Sequence, residues 1–166
     1  MGVKWKTKFD NIPKMTETAT TISGKNVEVG ALKGQNAYLA GIHEYGCTIK
    51  VTDKMRAWFA RQGFPLKKTT TEIKIPERSF LRTGHDENAD RVLQQTERAL
   101  GQVVAGKMSV DDMLDLYGQQ MSTAIKTYMR DLKEPQNSKM TVERKGSSNP
   151  LIDTGGLLES ISFRKP

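Results

Sequence analysis

One run leaves this 166-residue chain little freedom: between Ser109 and Pro135, apolar side chains fall at Val110, Leu114, Tyr117, Met121, Ile125, Tyr128 and Leu132. The steps of four, three, four, four, three and four keep them on one face of an α-helix of about six turns. Ser109 opens the helix, with Asp112 as its capping-box partner and Asp111 well placed for the helix dipole. Pro135 closes it. A seam this long must lie against another helix or a sheet. Its simplest use is core; its other use is a contact between subunits.

The preceding stretch keeps the same period. From Asp86 to about Val104, the residues Ala89, Val92, Leu93, Thr96, Leu100 and Val103 follow three–four spacing. The first half of the chain reads differently. Asn26–Gly34 alternates Val27, Val29 and Ala31 and is a strand. Ala37–Gly46 is either a strand or one short helix. "CTIKV" is a short strand, and Asp53 caps a helix to about Arg61 that stops at Gly63. The Thr- and Ile-rich segment Thr69–Ile75 is a strand that pairs with 26–33 or with 47–51. Ser160–Arg164 is a last strand, behind a helical turn capped by Asp153 or Thr154. The expected fold is α+β: a small antiparallel sheet packed with two longer helices, about 86–104 and 109–133. Residues 1–24 form an extended N-terminal arm or a short helix with little core of its own, and 25–166 a single domain with a long polar loop at 134–150.

Little in the chain points to catalysis. The single cysteine, Cys47, permits no intrachain disulfide, which suits a reducing compartment. No apolar run approaches the ~20 residues of a membrane helix, so no membrane contact is expected. "LIDTGG" looks like an aspartic-protease loop, but only ten residues follow Gly156, too few to build that fold. His43, Glu44 and Cys47 are too few for a metal site, and His85 is tied to none of them. No phosphate-binding loop or nucleophile elbow is present. No cofactor, metal or catalytic residue is therefore expected.

Charge is informative. The net charge is +7 and unevenly placed: residues 50–82 carry nine Lys/Arg against three acids, and 85–132 eight acids against five bases. Such blocks suit two copies meeting head to tail. The basic block, with Trp58, Phe59 and Phe64 among its cations, also suits a small nucleic-acid-binding protein.

Two segments are candidate interaction sites. In "IKIPERSFLRTG" Pro76 ends the strand pairing. If the chain stays extended, Arg78, Phe80 and Arg82 face one way and Leu81 the other. An outward Phe80 between two guanidinium groups would be an interface anchor; with Phe80 inward it is core. The second segment is 134–150, with Asn137, Lys139, Arg144 and Lys145. It has too few apolar groups to fold alone and is expected to gain order against a neighbour.

Four segments in order, "AYLAGIHEYG", "IPERSFLR", "PQNSKMTVERKGSSNPLIDTG" and "GLLESISF", resemble the tail-completion (neck, head–tail joining) proteins of long-tailed bacteriophages, which are similar to phage minor tail and virion-morphogenesis proteins. The resemblance covers roughly Ala37 to Phe163. It departs at Ser79, where that family usually has proline, and leaves the first 35 residues unmatched. It implies a non-catalytic virion subunit, made in the host cytoplasm, that forms a homo-oligomeric ring, often a hexamer. The implied partners are head–tail connector proteins on the portal side and tail terminator or tail tube proteins, with the genomic DNA close by.

Overall fold

The computed structural model describes residues 11–166. The chain runs α1 (Ile12–Ile22), β1 (Glu28–Ala31), α2 (Gly34–Tyr45), β2 (Cys47–Lys50), α3 (Asp53–Arg61), β3 (Glu72–Ile75), α4 (Phe80–Asp86), α5 (Ala89–Val104), α6 (Val110–Asp131), α7 (Lys139–Lys145), α8 (Gly156–Ser160) and β4 (Ile161–Arg164). This is an α+β fold, as the periodicities require. The strands form two separate antiparallel pairs rather than one sheet. β1 pairs with β4, from Glu28 opposite Arg164 to Ala31 opposite Ile161. β2 pairs with β3, from Cys47 opposite Ile75 to Lys50 opposite Glu72.

Helix α6 is the spine. Ser109 Oγ accepts the Asp112 backbone N–H at 3.0 Å and donates to the Asp112 carboxylate at 2.6 Å, so the sequence-predicted cap forms. The buried face is wider than the apolar stripe. It takes in Met113, Gly118, Ser122, Ala124 and Met129 beside Leu114, Met121 and Ile125. Gly118 has a steric role: a Cβ there would run into the ring of Phe163, so glycine lets β4 lie close on the helix.

Helix α5 packs on α6 with Val92, Ala99 and Val103 buried. Leu93 and Leu100, expected inside, are 50% and 37% exposed. They sit roughly 90° around the helix from the buried line, and the small Ala99 draws α6 towards that line. Phe80, Val92, Met121, Ile125, Met129, Leu157 and Ile161 belong to the main core; Ala99, Val103, Met113 and Leu114 form a second.

Several local expectations are resolved or corrected. The N-terminal arm is helical over Ile12–Ile22, with Thr18 buried, and packs on α5 and α6; its residues 1–10 lie outside the described residues. Of the strand and helix readings of 37–46, the helix forms: residues 34–45 are α2, which ends at Gly46. Thr52, not Asp53, caps α3, its Oγ1 accepting from Met55 N–H at 3.3 Å. Gly155, with φ of 87°, stands at the start of α8 with no side-chain cap, so neither Asp153 nor Thr154 serves there.

The segment 134–150 is also not a bare loop. Ser138 Oγ accepts from Thr141 N–H at 3.3 Å to start α7, and Gly146 ends it in the left-handed region at φ 67°.

Gly46 fixes how the β2–α3–β3 unit leaves the body. Its φ is 68°, and a Cβ there would stand 2.8 Å from Ile75 O and 2.9 Å from Glu77 N. Within the unit, the Arg56 guanidinium donates to the carbonyls of Lys67, Lys68 and Thr70 and so holds the return loop.

Candidate interaction site

The chain does not stay extended after Pro76. It turns at Ser79 and enters α4 at Phe80. The alternation that would have put Arg78, Phe80 and Arg82 on one outer face is therefore lost. Phe80 is fully buried in the main core, and Arg78 is only 3% exposed. Arg82 alone of the three is open, with its side chain about half exposed.

The turn into α4 is held by a residue from α2. The carboxylate of Glu44, 3% exposed, accepts the backbone N–H of Leu81 at 2.8 Å and of Arg82 at 3.0 Å. It also accepts from Arg82 Nε at 2.9 Å. A carboxylate on the first free N–H groups of a helix is the favourable sign for the helix dipole. Arg82 also pairs with Glu77 at 2.6 Å and lies over the Tyr45 ring at 4.9 Å. These bonds to Glu44 and Glu77 raise its already high pKa.

Arg78 joins the two segments singled out in the sequence to each other. Its backbone N–H donates to His43 O at 2.7 Å. Its guanidinium donates to Pro135 O at 2.8 Å, Gln136 O at 3.2 Å and Asn137 Oδ1 at 3.1 Å. Asn137 Nδ2 reaches Asn149 O and Pro150 O. Asn149 then ties the segment to the body. Its Nδ2 donates to the carbonyls of Met129 and Arg130 in α6, and its Oδ1 accepts from Leu151 and Ile152 N–H. The segment 134–150 thus carries its own attachment to the body. Asn149 was missed in the sequence, although Asn before Pro is a turn signal whose side chain caps backbone groups.

These residues wall a groove of about 740 Å³ between α2, α3, β3, α7 and the turn into α8. It brings together Arg78, Asn137, Arg144 and Lys145. Phe80 lies in the core, while Arg82 and Lys139 are outside the lining. His43, Lys74 and Asp153 complete the polar lining, and Leu39, Phe59, Ile73 and Met140 are among the apolar part.

The groove is electrostatically unbalanced. Four cations, Lys74, Arg78, Arg144 and Lys145, face one acid, Asp153. Every bonding partner of the Arg78 guanidinium is a neutral oxygen, and Lys145 Nζ donates to the Asn149 carbonyl at 3.0 Å. Burial pushes the pKa of both groups down. His43 Nδ1 is enclosed without a hydrogen-bond partner. Burial first, then the Arg78 and Lys145 charges, lowers His43 to about 4.

That shift has a consequence for stability. His43 is neutral in the fold above about pH 4, whereas the unfolded chain takes a proton near pH 6.5. As pH falls from 6.5 to 4 the unfolded state binds more protons, so stability drops across that window and is fully present above it. Denaturant titrations against pH should show this slope in the wild type and a flatter one in His43→Asn. A histidine resonance titrating at its ordinary value would refute the burial.

Among the described residues no group of three or more His, Cys, Asp or Glu could hold a metal ion. No helix among them is long and apolar enough to cross a membrane. The chain matches no protein-family model, no curated protein and no solved structure.

Proposed function

We infer that the chain is a structural virion subunit of a tailed bacteriophage, one that completes the tail or joins it to the head as part of a homo-oligomeric ring. The observation that carries this reading is the uneven placement of charge in space. Lys50, Lys54, Arg61, Lys67, Lys68 and Lys74 are all exposed on the β2–α3–β3 unit. Asp86, Glu87, Asp90 and Glu97 are exposed around α4 and α5, beside the exposed Arg82, Arg91 and Arg98. Among the described residues, the one ion pair made by the six cations of that unit and these four acids is Asp86 with its neighbour His85. A strongly basic surface and a second one that offers open carboxylates suit a head-to-tail repeat, which closes into a ring when the rotation allows. The ordered resemblance of four segments to tail-completion proteins supplies the setting: a portal-side connector on one face, a terminator or tail tube on the other.

The test is an image of particles assembled without this protein. Filled heads beside free, unjoined tails are the expected result. Normally joined, infectious particles would overturn the reading.

A second reading has one observation in its favour. Trp58 is 44% exposed among those cations, its ring 5.0 Å from Phe59 in an edge-on arrangement. An exposed indole in a basic field can stack on single-stranded nucleic acid. A steep fall of nucleic-acid affinity with salt, abolished by Trp58→Ala, is what this reading requires.

A further inference from the structure

The groove beside Arg78 lacks the charge that would balance it. Among the described residues, Arg78, enclosed at 3% exposure, is bonded only to neutral oxygens, and Lys145, Arg144 and Lys74 stand in the same lining with Asp153 as the only acid. Enclosed cations without a counter-ion are costly, and an entering carboxylate relieves that cost. The lining is also partly apolar, through Leu39, Phe59 and Met140. An occupant must therefore bring carboxylates and apolar side chains together, and in a form narrow enough to enter. A DNA duplex meets neither condition, since its charged surface is broad and carries no apolar knobs.

Helix α5 has the complementary surface. Asp90, Leu93, Glu97 and Leu100 follow steps of three, four and three, so they share one outer stripe of the helix. Leu93 and Leu100 are among the exposed large hydrophobics of the described residues. Neither Asp90 nor Glu97 makes a hydrogen bond or ion pair there. Several other carboxylates are already used: Asp111 by Lys25, Asp115 by Lys165, Glu28 by Arg164. None of the groove's lining comes from α5, so the two surfaces can meet only between copies.

The geometry points to a heterologous contact in which the Asp90–Leu93–Glu97–Leu100 face of one copy seats in the basic, partly apolar groove of the next. A helix face read at three–four spacing is a recurrent way of filling such a groove. Leucines cover the apolar lining, and carboxylates meet Lys74, Arg144 and Lys145 and offset the Arg78 charge. The contact rests on the homo-oligomer part of the function proposed above.

The experiment uses two double variants of the full chain. Lys74→Glu/Arg144→Glu reverses the groove rim, and Asp90→Lys/Glu97→Lys reverses the helix face. None of the four side chains makes a hydrogen bond or ion pair among the described residues, so each variant should melt close to the wild type. By sedimentation, the wild type should self-associate with concentration. Each double variant alone should associate at least about tenfold more weakly, from like charges facing each other. An equimolar mixture should associate again, because each variant's groove then fits the other's helix face. Association indifferent to both reversals, or a mixture that stays monomeric, overturns this contact and leaves the ring standing. A wild type that sediments as a monomer throughout overturns the oligomer reading together with the contact.

Discussion

Phe80→Ala should lose about 3–5 kcal/mol of folding stability, the cost of emptying a fully buried aromatic site. Phe80 has 0% exposure and belongs to one cluster with Met121, Ile125 and Met129 of α6. The loss is a large part of an ordinary domain's stability of about 5–15 kcal/mol. Urea unfolding followed by circular dichroism measures it as a lower midpoint with little change in slope. A variant as stable as the wild type but unable to assemble would return Phe80 to the surface and contradict this packing. Arg78 and Phe80 are thus parts of the subunit's construction, and assembly defects from changing them would come through the fold.

Glu44→Ala is the second large effect, about 2–4 kcal/mol. The change strips the start of α4 of the acceptor for Leu81 and Arg82 N–H and leaves those donors poorly satisfied. It also removes the enclosed half of an ion pair. The figure stays below that for a fully buried pair because the Arg82 side chain, about half exposed, can turn to water. Removing the arginine instead, as Arg82→Met, should lower stability far less, because an exposed partner is screened by water. Equal losses in the two variants would show that Glu44 acts through the ion pair and not as a helix cap.

This asymmetry explains what a reader of the sequence could and could not find. Helix α6 was legible because its stripe, its capping Ser109 and its terminating region are all local. The four strands were legible for the same reason, since alternation and flanking glycines are local signals. Helix α4 was hidden. Nothing near Phe80 announces a helix, and Pro76 with alternating residues suggests an extended chain. The group that starts the helix, Glu44, lies 37 residues away from Leu81 in sequence. Helix α7 had its marks, Ser138 before it and Gly146 after it, but lacked the apolar stripe that makes such marks persuasive.

The partial reading of α5 has another cause. Its apolar residues cover two adjacent lines of the helix, and periodicity cannot say which line meets α6. Small Ala99 decided in favour of Val92 and Val103, leaving Leu93 and Leu100 outside. As for the groove, the charged residues Arg78, Arg144 and Lys145 were picked out singly. Their convergence depends on Asn137 and Asn149, which fold the 134–150 segment back onto Arg78.

The pairing of β1 with β4 places Glu28 across from Arg164, so the chain enters the first strand and leaves the last at the same end of the ribbon. Tension applied to these two flanks would open that ribbon like a zipper, one hydrogen-bonded rung after another. Such a subunit is poorly built to bear load along its backbone. Mechanical strength in any assembly must come from compression between its faces.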